Sequence, residues 1–428
     1  MFIPYEKVGN FLSLFIKNEK LKNFFYDQKV NQNVSYINKN KPEVIKKLKH
    51  KLKNRQKINV VFYVYDASKW KSQSVYDIFS KNEKFNVKVL VTKNSAQKPD
   101  NPSFQTIEDV KKTYEFFRNK NLNVEFAYDT EKQKFIPFKR FQPDMIFYQH
   151  PWYVERTQGP VVCSKFALTA YIPYYFPIEV GDIDNKIDYY LRFHKYIENY
   201  YVLDKFIEKK LKSKMDNGGK NVKVAGYPNL DYFCNNIKDG EYIIYAPHWT
   251  ICGKGLKYGA FEWSGQFMLD YAKSHPQTKW IFKPHPLLYK ALIESKFMTE
   301  EEVEEYYNEW EKICLIHISD DYIDVFNKSK MMVTDGCSFF GEYFVTQKPL
   351  IMIMSNQSPF TTLENPILQT YYCARNIDQL EQLLDSVPKN DYMKEQRLAT
   401  LEHLGLKNNN AAKNIFDDIM KQIGERDA

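Results

Sequence analysis

Short runs of β-branched and aromatic residues alternate along the chain with segments of helical periodicity, and this alternation constrains the fold more than any other feature. One series begins at the nearly continuous apolar run 58–64 and continues through 87–91, 124–128, 145–148 and 171–176. Such short, apolar runs are typical of strands buried on both faces, and the helical segments between them are the connections that parallel strands require. The pattern predicts an α/β fold built on parallel sheet.

A second series of the same kind starts at 242–246 and continues through 279–282, 331–334 and 350–354. A chain of 428 residues has room for two domains of ordinary size. We therefore predict two Rossmann-like domains whose parallel sheets face a central cleft, the arrangement called GT-B. Ligands in sheets of this kind bind beyond the carboxyl ends of the strands, so those loops are where functional residues are expected.

The two domains are predicted over residues 58–235 and 236–428, because the change between the series falls near 231–240. The chain from residue 379 onward has helical periodicity and predicts helices that close the second domain. Residues 1–57 precede the first strand and form a third, helical segment.

The segment 1–57 carries the basic character of the chain. Residues 1–60 contain 14 Lys or Arg and 4 Asp or Glu, whereas the whole protein has a net charge of only +8. Val44, Leu48 and Leu52 form one apolar stripe among eight basic residues between Lys41 and Lys57. Two interpretations stay open: the helix lies on an anionic membrane surface, or its stripe packs on the neighbouring domain and its lysines are solvated.

Composition excludes several other classes of protein. A small net charge spread over 428 residues is not that of a nucleic-acid binder, and 43% hydrophobic residues exclude a disordered chain. No two of the six cysteines form a Cys-x-x-Cys pair, which argues against a zinc ribbon or a thioredoxin-type site. With no signal peptide and no apolar run of membrane-spanning length, a cytoplasmic protein is expected.

Two histidines follow predicted strands and are each followed by proline. His150 comes after 145–148 and precedes Pro151, and His285 lies between Pro284 and Pro286 after 279–282. A neighbouring proline restricts the backbone and holds an imidazole in one direction, as a general acid or base requires. Lys283 adds a positive charge beside His285.

Two further loops have residues that suit a phosphate. After 242–246 come His248, Thr250 and Lys254, the last between two glycines that let backbone N–H groups approach an anion. After 331–334 comes a predicted helix whose N-terminus has free N–H groups and a favourable dipole. Its residues of interest are Thr334, Asp335, Ser338 and Glu342. Each of these loops alone also fits an ordinary turn or helix cap.

Together the loops resemble the CDP-glycerol glycerophosphotransferase family of teichoic-acid and capsule synthesis. The matching residues are Tyr245-Ala246-Pro247-x-Trp249, Lys283-x-His285-Pro286, Thr334-Asp335-x-x-Ser338-x-x-x-Glu342 and Lys348-Pro349. The resemblance covers roughly residues 140–425. Family members commonly have Pro-Thr-Trp-Arg where this chain has Pro247-His248-Trp249-Thr250, so His248 and Lys254 are expected to take the place of the arginine.

The resemblance implies a transferase that moves a polyol phosphate from a CDP-activated donor to a hydroxyl of a lipid-linked or polymeric saccharide acceptor. It implies two essential histidines, at His150 and His285, with the acceptor on the first domain and the donor nucleotide on the second. We expect His150 to deprotonate the acceptor, His285 and Lys283 to stabilise the phosphates, Ser338 and Thr334 to hold a phosphate, and Glu342 to anchor donor hydroxyls. An enzyme growing a lipid-linked polymer is expected at the inner face of the cell membrane.

Two alternatives stay open, a GT-B glycosyltransferase that uses a nucleotide sugar and a catalytically inactive binding subunit. No metal cofactor is expected, because the chain lacks a His-Glu-x-x-His motif. Asp182-x-Asp184 lies in a polar loop, and Asp320, Asp321 and Asp324 precede a helix as capping acids do.

Overall fold

The computed structural model describes most of the chain. The described residues are 19–96, 104–176, 191–215, 217–233, 240–251, 257–318, 322–356, 365–407 and 409–424, with backbone alone for 19–27. Residues 1–18, part of the predicted basic segment, lie outside them.

Helices and strands alternate as the sequence predicts. The helices are α1 Glu19–Lys53, α2 Gln73–Ser80, α3 Ile107–Asn119, α4 Pro160–Cys163, α5 Arg192–Tyr196, α6 Lys205–Lys214, α7 Phe261–Ser274, α8 Leu288–Glu294, α9 Glu300–Ile313, α10 Ile323–Lys328, α11 Cys337–Phe344, α12 Ile377–Ser386, α13 Lys394–His403 and α14 Ala411–Ile423. The strands are β1 Ile58–Val64, β2 Phe85–Val91, β3 Val124–Phe126, β4 Tyr128–Asp129, β5 Lys134–Phe135, β6 Met145–Tyr148, β7 Leu168–Tyr171, β8 Asn199–Val202, β9 Val222–Val224, β10 Tyr242–Ala246, β11 Trp280–Phe282, β12 Leu315–Ile316, β13 Ser329–Thr334, β14 Leu350–Ile353 and β15 Tyr372–Ala374.

The first sheet has seven parallel strands in the order β3-β2-β1-β6-β7-β8-β9. Chain order reverses between β1 and β6, which makes this pair the topological switch point where such sheets bind ligands. The strand predicted at 171–176 is wrong in position, because β7 ends at Tyr171. Its residues from Leu168 pair with β6, and Pro173 further along has no N–H to donate to a neighbouring strand.

The second sheet has six parallel strands in the order β12-β11-β10-β13-β14-β15. The switch point here lies between β10 and β13. Aromatic residues of the strands and helices fill the core on one face, with Phe282 stacked on Trp310 at 4.8 Å between ring centroids. The predicted fold class, α/β with two Rossmann-like halves as in GT-B proteins, is confirmed.

Two compact units divide the chain at places that differ from the predicted domain ranges. The first unit contains the first sheet, up to Ala225, and the second contains Tyr175, Phe176 and the chain from Gly226 to Ala411. The C-terminal helix α14 was expected in the second domain, but residues from 412 onward belong to the first unit. Ile415 and Ile419 are fully buried in the core of that unit, so apolar contacts rather than chain order assign the helix.

The basic helix α1 is part of the first unit and packs into its core. Val44 and Leu48, which belong to the predicted apolar stripe, are 3% and 0% exposed and lie in the core. On the same helix, the ammonium groups of Lys47 and Lys51 pair with the fully buried carboxylate of Asp144. The packed-helix interpretation therefore describes the stripe, and only the remaining lysines are available for another role. Among the described residues, every helix is too short or too polar to span a bilayer.

Candidate active site

The carboxyl ends of β10, β11 and β13 bring three of the predicted loops to one edge of the second sheet. Their backbones are tied directly: the N–H of His285 donates to the carbonyl of Pro247 at 3.0 Å, and the hydroxyl of Thr334 donates to the carbonyl of Ala246 at 2.6 Å. Residues that are far apart in the sequence thus form one cluster at the switch point. We call this the donor-side cluster, after its predicted role.

Asp335 clamps the loop that follows β10. Its two carboxylate oxygens accept from the backbone N–H of His248 at 2.6 Å and of Ala260 at 2.7 Å. Burial raises the pKa of this carboxyl to about 7, although the backbone hydrogen bonds act to lower it. Asp335 is predicted to bind donor phosphate; in the structure both of its oxygens already accept from backbone N–H groups.

Thr250 closes the same loop from the other side. Its hydroxyl accepts from the N–H of Gly259 at 2.7 Å, and a Cβ at Gly259 would lie 1.7 Å from the Thr250 carbonyl oxygen. Only glycine therefore fits at position 259. Lys254, predicted to meet the phosphate, lies outside the described residues.

His285 has one ring nitrogen fixed by the backbone. Its Nδ1 accepts from the N–H of Leu287 at 3.1 Å, which places the proton of the neutral ring on Nε2. Burial, with a smaller contribution from Lys283, lowers the pKa to about 4, so the imidazole is neutral near pH 7. A neutral ring with a fixed Nε2–H can donate a hydrogen bond to a phosphate oxygen without a charge of its own.

His248 lies beside His285, with 5.3 Å between ring centroids. Its Nδ1 accepts from the N–H of Thr250 at 3.3 Å and lies 3.0 Å from the Thr250 hydroxyl oxygen. Burial, and next the neighbouring His285, lowers its pKa to about 3. The pair therefore offers two neutral imidazoles on one side of the cluster.

Lys283 supplies the positive charge of the cluster. The side chain is nearly buried, and its ammonium lies over the rings of Tyr322 at 5.2 Å and Phe339 at 5.9 Å. Tyr322 in turn donates its hydroxyl hydrogen bond to Glu342, whose other oxygen accepts from Tyr227 at 3.2 Å. Glu342 is 1% exposed, and its carboxylate accepts from both tyrosines. Its expected role of anchoring donor hydroxyls stays a prediction.

Thr334 and Ser338 have different surroundings at the start of α11. The Thr334 hydroxyl also accepts from the N–H of Gly336 at 2.9 Å and is fully buried, so it shapes the turn. Ser338 is exposed in the first helical turn, one residue after Cys337. Of the two predicted phosphate hydroxyls, only that of Ser338 is open to a ligand.

His150 lies in the first unit, just past the end of β6. Its ring is 0% exposed and stacks on Tyr65 at 4.0 Å, with Tyr174 at 5.7 Å. Within the described part of the chain, neither ring nitrogen has a hydrogen-bond partner. Burial, and next the charge of Lys69, lowers the pKa well below its usual value. We call His150 with Tyr65 and Tyr174 the aromatic box.

The chain matches the family model of CDP-glycerol:poly(glycerophosphate) glycerophosphotransferases over residues 194–421, more than half its length. The chain belongs to this family. It is therefore a transferase of the polyol-phosphate class, as the motifs predicted, and the glycosyltransferase alternative is not favoured. The matched range contains the whole donor-side cluster. It begins at residue 194 and therefore does not include His150.

Solved structures share the fold at low sequence identity. A UDP-GlcNAc 2-epimerase from Neisseria meningitidis matches with 13% identity, covering 86% of this chain and 100% of its own, at a TM-score of 0.54. The wall teichoic acid polymerase TagF matches with 14% identity over 85% of this chain and 88% of its own, at 0.52. A TagF variant soaked with CDPG covers 95% and 98%, with 14% identity and a TM-score of 0.54. No curated protein sequence matches the chain significantly.

The sequence analysis predicted His150 but missed four tyrosines and one lysine that surround the predicted residues: Tyr65, Tyr174, Tyr227, Tyr322 and Lys69. No motif marks these residues, and only the partners they contact reveal them. Among the described residues, no group of three or more His, Cys, Asp or Glu could hold a metal ion. Asp182, Asp184, Asp320 and Asp321 lie outside those residues.

Proposed function

We propose that the protein transfers glycerol phosphate, or a similar polyol phosphate, from a CDP-activated donor to a hydroxyl of a capsule or teichoic-acid-like acceptor. The acceptor oxygen attacks the phosphorus that carries the polyol, and the bond from that phosphorus to the bridging oxygen breaks. CMP leaves, and the acceptor proton passes to a base. Such a reaction depends on positioning and on stabilising charge at the phosphates.

The donor-side cluster supplies the electrophilic groups. Lys283 and the Nε2–H of His285 contact the pyrophosphate, and His285 donates to the oxygen that leaves with CMP. The single observation that carries this assignment is the backbone hydrogen bond to Nδ1 of His285, since it fixes the donor proton on Nε2 at the switch-point edge. The N-terminus of α11 with Ser338 adds N–H groups for a phosphate.

His150 is the base that takes the proton from the acceptor hydroxyl. A neutral imidazole with both nitrogens unpartnered among the described residues can accept a proton, provided that the aromatic box opens to admit the hydroxyl. The acceptor therefore binds at the carboxyl edge of the first sheet.

Release of CMP from CDP-glycerol in the presence of acceptor tests the proposal. Wild-type protein is expected to turn over CDP-glycerol or a related CDP-polyol, and His285→Ala should reduce the rate by about 10²–10⁴. His275→Ala is the matched control, because His275 follows α7 at the opposite edge of the same sheet. Turnover of nucleotide sugars alone, or equal activity of His285→Ala and the control, would contradict the proposal.

The chemical step uses no divalent metal ion. The support is the presence of Lys283, two neutral histidines and a helix N-terminus around the expected phosphates. Activity should survive an excess of chelator within about twofold. Complete loss in chelator that magnesium restores would reverse this part of the proposal and direct attention to Asp182 and Asp184.

The protein acts at the inner membrane face through electrostatic contact of α1. Lys46, Lys49 and Lys53 are exposed and have no ion pair among the described residues, and each contributes about 1 kcal/mol near an anionic surface. Lys46→Gln, Lys49→Gln and Lys53→Gln together should reduce co-sedimentation with phosphatidylserine vesicles at low salt. Lys47 and Lys51 are unsuitable for this test, because their removal leaves the buried Asp144 without partners. Unchanged vesicle binding by the triple variant would disprove membrane contact through this face.

A further inference from the structure

Lys69 is a cation placed at the aromatic box by the loop after β1. Asp66 caps the short 3-10 helix Ala67–Lys69 by accepting from the N–H of Ser68 at 3.0 Å, and the helix ends at Lys69. The ammonium of Lys69 lies over the rings of Tyr65 at 5.7 Å and Tyr174 at 5.3 Å. These are the same two rings that contact His150. Lys69 and His150 thus share one aromatic frame at the switch point of the first sheet.

The two residues differ in their access to solvent. His150 is fully buried, whereas the side chain of Lys69 is 29% exposed. The anionic partner of Lys69 is Asp66 at 3.3 Å, whose side chain is 32% exposed. An exposed ion pair of this kind contributes about 0–1 kcal/mol, so an incoming anion can compete for the ammonium.

A cation beside the base is unfavourable for catalysis unless an anion joins it. In the free protein Lys69 acts against protonation of His150, as its effect on the pKa of that ring shows. An anion bound at Lys69 offsets the positive charge and makes His150 a stronger base. Binding of an anion at Lys69 is therefore coupled to the basicity of His150.

We infer that Lys69 is a positioning residue that binds an anionic group of the acceptor and directs a nearby hydroxyl toward His150. The acceptor class that fits is a molecule with a phosphate or another anion within a few bonds of the reacting hydroxyl. This inference rests on the proposed function, in that it takes His150 as the acceptor-side base. It adds a residue from the part of the chain that the family model does not match.

Two small acceptors that differ only in charge provide the test. Glycerol 3-phosphate is the anionic probe and glycerol the neutral one, with CMP release from CDP-glycerol as the readout. Lys69→Gln should lower kcat/KM for glycerol 3-phosphate about tenfold more than for glycerol, mainly through KM. Lys69→Arg should restore the preference, because it keeps the cation. Lys81→Gln is the control, since the exposed Lys81 follows α2 at the opposite edge of the sheet.

A binding measurement covers the case in which small acceptors react too slowly to follow. The imidazole NMR signal of His150 should shift on titration with glycerol 3-phosphate in the wild type, and the midpoint should rise about tenfold in Lys69→Gln. Equal losses with both acceptors, or an unchanged midpoint, would overturn the role of Lys69. Full activity of His150→Ala with both acceptors would instead overturn the proposed function itself, whatever Lys69 does.

Discussion

His150 and His285 have the same local sequence context and opposite surroundings. Each follows a buried parallel strand, and each precedes a proline. His285 is partly exposed and has Nδ1 held by the N–H of Leu287. His150 is fully buried between aromatic rings, with neither nitrogen partnered among the described residues.

The difference shows what a proline next to a histidine does and does not determine. The proline restricts the backbone beside the histidine. The hydrogen-bond partner of Nδ1 determines the tautomer of the ring, and the packing around the ring determines its access to solvent and ligand. His285 can donate a hydrogen bond from Nε2–H as the structure stands. His150 can accept a proton only after the aromatic box opens, so the two sites are expected to respond differently to substitution.

The largest expected effects are those of replacing His150 and His285, and CDP binding should distinguish the two substitutions. His150→Ala and His285→Ala should both reduce transfer by about 10²–10⁴. Only His285→Ala should also weaken binding of CDP, because only His285 is proposed to contact the pyrophosphate. Isothermal titration calorimetry with CDP and with cytidine measures this. Equal weakening by both substitutions would show that the contrast between the edges is wrong.

A second test uses the low pKa values of the donor-side histidines. The pKa of His248 falls from 6.5 to about 3 on folding, so between those values the unfolded chain binds a proton that the folded protein does not. Stability should therefore fall as pH decreases below 6.5, by up to about 1.4 kcal/mol per pH unit for this group. His285, with a pKa of about 4, acts in the same direction.

Asp335 opposes this trend, which determines how the measurement is designed. Because its pKa is raised to about 7 in the fold, its contribution is present at low pH and is lost as pH rises from about 4 to 7. The difference between wild type and His248→Gln in urea unfolding at pH 5 and pH 7.5 isolates the histidine. A difference that does not change with pH would contradict the neutral, buried state of His248.

The sequence predicted much of this architecture because local patterns determine it. β1 begins and ends where the apolar run 58–64 does, and short apolar runs with helical spacers specify parallel sheet. The loops bearing His248, His285 and Asp335 were each predicted to follow a strand. They lie together because the carboxyl ends of parallel strands share one end of the sheet and β11, β10 and β13 are neighbours in it. The stripe of Val44, Leu48 and Leu52 on α1 was correctly identified as apolar, although two interpretations of its partner stayed open.

The roles of individual side chains depended on partners that no local pattern reveals. From the sequence, Glu342 could be an ordinary acid in the first turns of a helix. In the structure, one of its oxygens accepts a hydrogen bond from Tyr227, which lies 115 residues earlier. Asp335 stands in a loop typical of ligand sites, yet backbone groups of His248 and Ala260 occupy it. The position of α14 likewise depends on which core has room for Ile415 and Ile419.

The smallest expected effect concerns Tyr322, which links Lys283 to Glu342 at the donor-side edge. Tyr322→Phe keeps the ring under the Lys283 ammonium and removes only the hydrogen bond to Glu342, so CDP binding should change less than threefold. Tyr322→Leu removes the shorter of the two cation–π contacts of Lys283, worth about 0.5–2 kcal/mol, and should weaken CDP binding by about three- to tenfold. Cytidine, which has no phosphate, should bind equally to both variants, because Lys283 is proposed to meet only the pyrophosphate. If phenylalanine is as harmful as leucine for CDP, the hydroxyl contact with Glu342 rather than the ring positions Lys283.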